Sequence, residues 1–564
     1  MDLPKRRIIL QRVVLLLLIL FLVYSYFLIL NKNILEIDGY FHLGRVKEIR
    51  YAFLHFELPN FLNFQSFFGA GQAVNAMYPD ITLWPFVLLT LFLSPAHQVA
   101  MIKLLMVVGL LIVTYISLYR HNIPTDISLH SSILFTILSI AIISFGIIGQ
   151  FSPAASIIYM FIMPISFTAY NILSTDQFNK SLVIRFALII ILILYSHFLT
   201  IVTLGFVMLG IMLVKIITHN FNIAAILNIF VAGIVSLIGC IPIIYRYLLI
   251  SKSGLVMPYH QGKIESLYHT FPYMSKHEFL ILAILVIELF LLLRKENKKS
   301  CYIQLLVIEV YIYILGSSIF PWKLFSAVPL VNNLQFPERF QGYLYIIPVL
   351  MLANLTKKHF KLGVIMMLLL TIVGSAIFIK LYSQDHSILL NNSNYASVGK
   401  VAGKLNREDI SVNQDYYYYD YYPSAMPDSY RGTWRMSNKG REALINPKIK
   451  GSNKAVEIDK KSINNGIQIN ACHDIRSNSD LILPVLGYKG LKYQTAINGR
   501  NISNHIDGMN LAINTHKLNT KDKITVKFNN PLIYSWMIVI ALLYDLALVI
   551  YLKFLNLRPI RKVK

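Results

Sequence analysis

The sequence predicts a mainly α-helical polytopic membrane protein of about twelve spans, with a smaller β-rich domain outside the membrane near its C-terminus. Three observations carry that expectation. Of 564 residues, 56% are hydrophobic and only 14% are charged, where a soluble chain carries about a quarter charged. The apolar residues come in runs of about 20, the length that crosses a hydrocarbon core of about 30 Å. A polar stretch, 382–531, rich in Asn, Tyr and Ser, interrupts this pattern before a last apolar run.

Taken in order, the expected spans are 8–30, 98–119, 131–149, 153–174, 180–195, 198–217, 223–249, 277–294, 301–320, 339–356, 361–381 and 532–554. The first follows Lys5, Arg6 and Arg7 and is too long for a signal h-region, so it reads as an uncleaved span. The segment 81–95 is short and carries Trp84-Pro85. Treating it as interfacial or re-entrant keeps the basic loops Arg294-Lys295, Lys357-Lys358 and the Arg558–Lys564 tail on the cytoplasmic side. The expected layout is a plasma-membrane protein with both termini cytoplasmic. Residues 1–381 form the membrane domain with a long outer loop at 31–97, 382–531 an extracytoplasmic β-rich domain, and 532–564 a final span and basic tail. Within the polar segment, Asp480–Leu486, Leu491–Ile497 before Asn498-Gly499, and Lys523–Phe528 read as strands.

The net charge of +24 does not point to nucleic acid, because the basic clusters sit at the ends of apolar runs. Three cysteines, Cys240, Cys301 and Cys472, offer no evident pairing, so no disulfide framework is expected.

Chemistry concentrates in the outer loops. In the first, Asp38, His42 and Arg45 recur at i, i+4 and i+7, which places them on one face of a helix. A carboxylate there can act as general base, and an arginine can hold a phosphate through two parallel hydrogen bonds. Their alternative reading is a solvated face with local ion pairing. Glu338 and Arg339, flanked by aromatics, and Lys323 form a second group suited to a phosphate or sugar, or to interfacial anchoring. Asp80 is a second carboxylate candidate. His197 reads as a hydrogen-bonded packing residue, and the tyrosine-rich run Asp415–Tyr422 as stacking faces for sugar rings or, more simply, as the edge of a β-domain core. Glu36 and Asp38 make one acidic pair near His42 that would suit Mg²⁺ or Mn²⁺, but a single pair falls short of a metal centre, so no cofactor is expected.

At these residues the chain resembles a known group. The acidic residue after the first span, the long outer loop and the outer C-terminal domain look like the GT-C glycosyltransferase architecture. More narrowly, Asp38-Gly-Tyr-Phe-His42-Leu-Gly-Arg45 and Gln335-Phe-Pro-Glu-Arg339-Phe, with Leu483-Pro484, Tyr488-Lys-Gly490 and Asn498-Gly499, resemble bacterial "6-pyruvoyl-tetrahydropterin synthase-related" membrane proteins of the YfhO type. The resemblance implies an inverting transferase that takes a sugar from a polyprenyl-phosphate donor on the outer leaflet to a cell-surface glycopolymer. It casts Asp38 as the catalytic carboxylate and Arg339 as a phosphate contact. Glu338 stands where relatives often carry Trp, which leaves its role open. Two rival readings remain. A flippase for lipid-linked glycans predicts ionisable residues inside the spans, of which Lys103, Arg185, Arg246, Glu288 and Glu309 are the candidates. A non-catalytic envelope scaffold would use the β-domain as a binding module.

Overall fold

The computed structural model describes residues 37–142, 152–256, 299–384 with short breaks between 318 and 336, and 420–557 with short breaks between 431 and 516. The expected spans 8–30 and 277–294 lie outside the described residues. The chain is mainly helical with a β-rich C-terminal region.

Among the described residues the α-helices of six residues or more, in order, are α1 (Ile37–Leu54), α2 (Trp84–Leu89), α3 (Pro95–Arg120), α4 (Thr125–Ile142), α5 (Pro153–Met160), α6 (Ile162–Leu173), α7 (Lys180–Ser196), α8 (Thr200–Ile217), α9 (Ala224–Ser251), α10 (Lys299–Leu315), α11 (Ile346–Lys358), α12 (Phe360–Gln384) and α13 (Leu532–Leu557). Four helices among the described residues are long and apolar enough to cross a membrane: His97–Arg120, Thr200–Ile217, Ala224–Ser251 and Leu532–Leu555. Their exposed residues are large aliphatics and aromatics, Ile226, Leu237, Leu543 and Phe554 among them, which is the surface a lipid-facing helix presents. α9, α7 and α13 pack together, and Tyr544 of α13 donates to the Val235 carbonyl at 2.9 Å.

Two expected spans take another form. The run 153–174 is two helices, α5 and α6, bent by 56° at Phe161. The run 339–356 is a 3-10 turn, Pro337–Tyr343, followed by the 13-residue α11. Gly342 lies close against Tyr159: a Cβ there would lie 2.1 Å from Tyr159 Cε1, so any larger residue would have to displace that ring. Hydropathy averages across both breaks and hides them. The segment 81–95 contains the six-residue α2 and is too short to cross.

The strands are β1 (Lys448–Ile449), β2 (Ile458–Ile463), β3 (Gly466–Ala471), β4 (Ile475–Arg476), β5 (Leu481–Leu486), β6 (Gln494–Ile497), β7 (Arg500–Ile502), β8 (Asn504–Asp507), β9 (Asn510–Ile513), β10 (Lys517–Leu518) and β11 (Lys523–Lys527). They form a five-stranded sheet, β2-β3-β11-β6-β7, a four-stranded sheet, β1-β5-β9-β8, and a β10-β4 pair, all antiparallel. Asn498-Gly499 closes the β6–β7 hairpin, with φ of 50° and 81°, the left-handed backbone that a two-residue hairpin turn requires. Inward residues of both sheets, such as Ile467, Leu483, Leu511 and Val526, are fully buried in one continuous apolar core.

The first loop docks onto this domain through polar contacts. Ser462 Oγ donates to the Phe64 carbonyl at 2.6 Å, and the amides of Asn464 and Asn465 donate to Glu57 at 2.6 and 2.7 Å. The Leu486 N–H donates to the Ala70 carbonyl. The Tyr488 hydroxyl accepts from the Ala73 N–H and donates to the Tyr421 carbonyl, at 3.0 and 2.9 Å. Most of these contacts satisfy main-chain groups of an irregular loop that would otherwise be stranded in a dry interface. Loop and domain therefore lie on the same side of the helical bundle.

Candidate functional site

α1 begins at Ile37, so Asp38, His42 and Arg45 do fall along one helix. The side chain of Asp38 lies outside the described residues, as does all of Glu36. His42 and Arg45 are both buried, Arg45 completely. Arg45 Nη1 donates to His42 Nδ1 at 3.1 Å, Nη2 donates to the Pro79 carbonyl, and the guanidinium lies 4.5 Å from the centre of the Tyr78 ring. Because Nδ1 of His42 accepts from a guanidinium, its proton sits on Nε2, 3.4 Å from Ser152 Oγ. Burial, then the charge of Arg45, then His197 hold the His42 imidazole well below its usual range, so it stays neutral.

Around Arg45 the walls are aromatic. Phe41, Phe67, Val74 and Tyr421 form a buried cluster, and Tyr78 meets the rings of Phe41 and His42 edge-on at 5.5 Å each. Tyr421 thus packs on the first loop rather than on the β-domain edge that the tyrosine run suggested, while Tyr416–Tyr419 lie outside the described residues. His197 hydrogen-bonds Thr200 Oγ1 at 2.9 Å, as a packing histidine does. Burial, with Arg339 and Arg45 as the next causes, pushes it down to about 3. The charge of Arg339 therefore reaches the same neighbourhood as that of Arg45. Lys323 lies in the short helix Trp322–Phe325 and Glu338 in the Pro337–Tyr343 turn, with side chains outside the described residues.

Asp80 does not stand free as a second base. Its Oδ1 accepts from Arg246 Nη1 at 2.6 Å and its Oδ2 from Trp84 Nε1 at 2.8 Å, and both charged side chains are only 2% exposed. Arg246 also donates to the Tyr534 hydroxyl at 3.2 Å. The first loop, α9 and α13 meet at this one ion pair. Arg246 was legible only as an ionisable residue within a span, and Trp84 and Tyr534 carried no signal, because a contact between residues 80, 246 and 534 leaves no local pattern.

The charge balance is uneven. Among the described residues Arg45 has no carboxylate within ion-pair distance, and its Nε, with Nε and Nη2 of Arg246, is buried without a hydrogen-bond partner. A buried N–H that has lost water and gained nothing costs about 1–3 kcal/mol. An anion accepting from these groups would recover that cost.

No protein-family model matches this chain, and no curated protein matches it.

Glu48, one turn along α1 from Arg45, holds the loop that carries this site. Its Oε1 accepts from the N–H groups of Gln65 and Ser66 and from Ser66 Oγ, at 2.6, 2.8 and 2.8 Å. Burial nevertheless pushes its carboxyl up to about 7. A carboxyl raised in the folded state stabilises fully below its unfolded value, here 4.5, and that contribution disappears as pH rises through 7. Glu48→Gln removes this dependence while keeping the acceptor oxygen. The variant should gain stability over wild type as pH climbs from 4.5 to 7, by up to about 3 kcal/mol. Melting temperatures of the two proteins across that range test this; a difference that does not change with pH would refute it.

Proposed function

We propose that the chain is a membrane glycosyltransferase of GT-C type, which takes a sugar from a polyprenyl-phosphate donor to a cell-surface acceptor at the outer face of the membrane. The observation that supports this most is the buried Arg45, with an unpartnered Nε and no carboxylate paired to it among the described residues. A lipid phosphate brings the anion that such a group lacks, and its apolar chain suits helices whose outer faces are aliphatic. In this reading the bundle has twelve spans, with the first loop and the β-domain both outside. It belongs with the YfhO-type proteins that its loop motifs resemble.

The transfer is a single inverting displacement. Asp38, two helical turns before Arg45, takes the proton of an acceptor hydroxyl. The hydroxyl oxygen attacks the anomeric carbon, and the bond from that carbon to the phosphate oxygen breaks. The electron pair leaves with the lipid phosphate, whose charge Arg45 and Arg339 neutralise where water is scarce. His42, neutral and hydrogen-bonded to Arg45, fixes the fork of the guanidinium. Asp80 orients Arg246 rather than substrate. The β-domain, joined to the same loop, holds the acceptor.

The flippase alternative draws on Lys103, Arg246 and Glu309, which are all buried. Arg246 is tied to Asp80 of the first loop, so it joins the outer site instead of marking a path through the bundle. Binding tests the phosphate assignment at low cost, and loss of turnover in Asp38→Asn separates a transferase from a flippase. The purified protein should bind a short-chain polyprenyl phosphate but not the uncharged polyprenol, and Arg45→Gln should weaken that binding by about tenfold or more. Equal binding of alcohol and phosphate, or full affinity in Arg45→Gln, would defeat the assignment.

A further inference from the structure

Away from the first loop, the four-stranded sheet gathers three metal-type ligands on one face. Strand register pairs His505 with Ala512 and Ala512 with Ile482, and Asp507 with Asn510. Side chains alternate between faces with period two, so His505, Asp507 and Asp480, two residues before Ile482, share the face opposite the buried Leu481 and Leu483. Ala512, between them, presents only a methyl group and is fully buried. Across it the imidazole reaches Asp480, with Nε2 to Oδ2 at 3.3 Å.

One ligand atom from each of Asp480, His505 and Asp507 lies within 4.8 Å of the other two. Three donors around one Zn²⁺, each at about 2.0–2.2 Å, stand at most about 4.4 Å apart, so only small rotamer shifts separate this arrangement from a closed site. Asn514 Nδ2 donates to the other oxygen of Asp480 at 3.3 Å, as an outer partner that orients a metal carboxylate does. Asp507 is fixed at the mouth of the two-residue Gly508-Met509 turn, and the facing Asn510 is anchored to the Leu483 carbonyl at 2.9 Å. The His505 side chain is 48% exposed, which leaves an approach for an ion from solvent.

We infer that Asp480, His505 and Asp507 bind a divalent transition-metal ion of the Zn²⁺ type, which clips the edge strand β8 to the start of β5. Two carboxylate oxygens and one imidazole nitrogen make the donor set, and the imidazole favours a transition metal over Ca²⁺ or Mg²⁺. Water completes the coordination from the exposed side. β8 lies at the edge of its sheet, and an ion held between it and β5 fixes that edge across the central β9. The inference stands apart from the transferase reading, since it uses no residue of the first loop.

The test uses the full chain in detergent, freed of metal with a chelator, in a Cys472→Ser background because Cys472 is an exposed free thiol. Co²⁺ is the probe. One equivalent should give visible ligand-field bands that Zn²⁺ removes, and Zn²⁺ should raise the melting temperature where Ca²⁺ does not. His505→Gln and Asp507→Asn should each weaken Co²⁺ binding by more than about tenfold, the loss that removal of even an outer partner of a ligand brings, while melting like the metal-free parent. No Co²⁺ spectrum in the parent would overturn the site, as would unchanged binding in both variants. Equal stabilisation by Ca²⁺, unaffected by His505→Gln, would overturn its assignment to a transition metal.

Discussion

Replacing Arg246 by Ala is expected to destabilise the chain by about 3–5 kcal/mol, because it leaves the Asp80 carboxylate buried with its main counter-charge gone. The two side chains are each 2% exposed and 2.6 Å apart. With Arg246 removed, Asp80 keeps only the hydrogen bond from Trp84 Nε1, and Tyr534 loses the guanidinium that donates to it. The reciprocal change, Asp80→Ala, strands a guanidinium between α9 and α13. Each single loss is mostly the cost of an isolated buried charge, so the double replacement Asp80→Ala with Arg246→Ala should cost far less than the two singles summed. A double-mutant cycle on unfolding in detergent reads the coupling directly. Additive single effects would mean that the pair does not join first loop to bundle. Disturbance should also spread to the cation centre, since Pro79, whose carbonyl accepts from Arg45, is the neighbour of Asp80 in the chain.

The second large effect is chemical. Asp38→Asn keeps the size and helical position of the residue while removing its capacity to take a proton. Loss of a positioned general base costs about 10²–10⁴ in rate, so turnover should fall by that factor. Binding of a polyprenyl phosphate should persist, because Arg45 and its aromatic walls are untouched. This split separates a base from a binding residue: Arg45→Gln should fail at binding, Asp38→Asn at turnover. A drop in affinity alone for Asp38→Asn would move the residue out of the base role.

Much of this was legible in the sequence because it is local. The i, i+4, i+7 spacing of Asp38, His42 and Arg45 needs only a helix to bring the residues into line, and α1 supplies it. The strands at 481–486, 494–497 and 523–527 follow from alternation and from the Asn498-Gly499 turn. The placement of the basic loops makes 81–95 an interfacial or re-entrant segment, and its six-residue helix is too short to span a bilayer. What the sequence hid is long-range or geometric. The bend at Phe161 and the turn before α11 interrupt runs whose apolar content stays high, so composition gives no warning. The role of Asp80 could not be read, since its partner lies 166 residues away. The docking of loop residues 57–78 on the β-domain depends on Asn, Ser and Tyr side chains meeting main-chain groups, and such pairs leave no periodic trace. Asp480, just before β5, and His505 and Asp507, in β8, are likewise far apart in sequence and are brought together only through β9.

Transfer of radiolabelled sugar from undecaprenyl-phosphate donors to envelope polymer, in membranes carrying wild type or Asp38→Asn, tests the central claim most directly. The account predicts transfer by wild type and its loss in the variant at equal membrane insertion. Equal signal from both, or none from either across a broad donor panel, would contradict it.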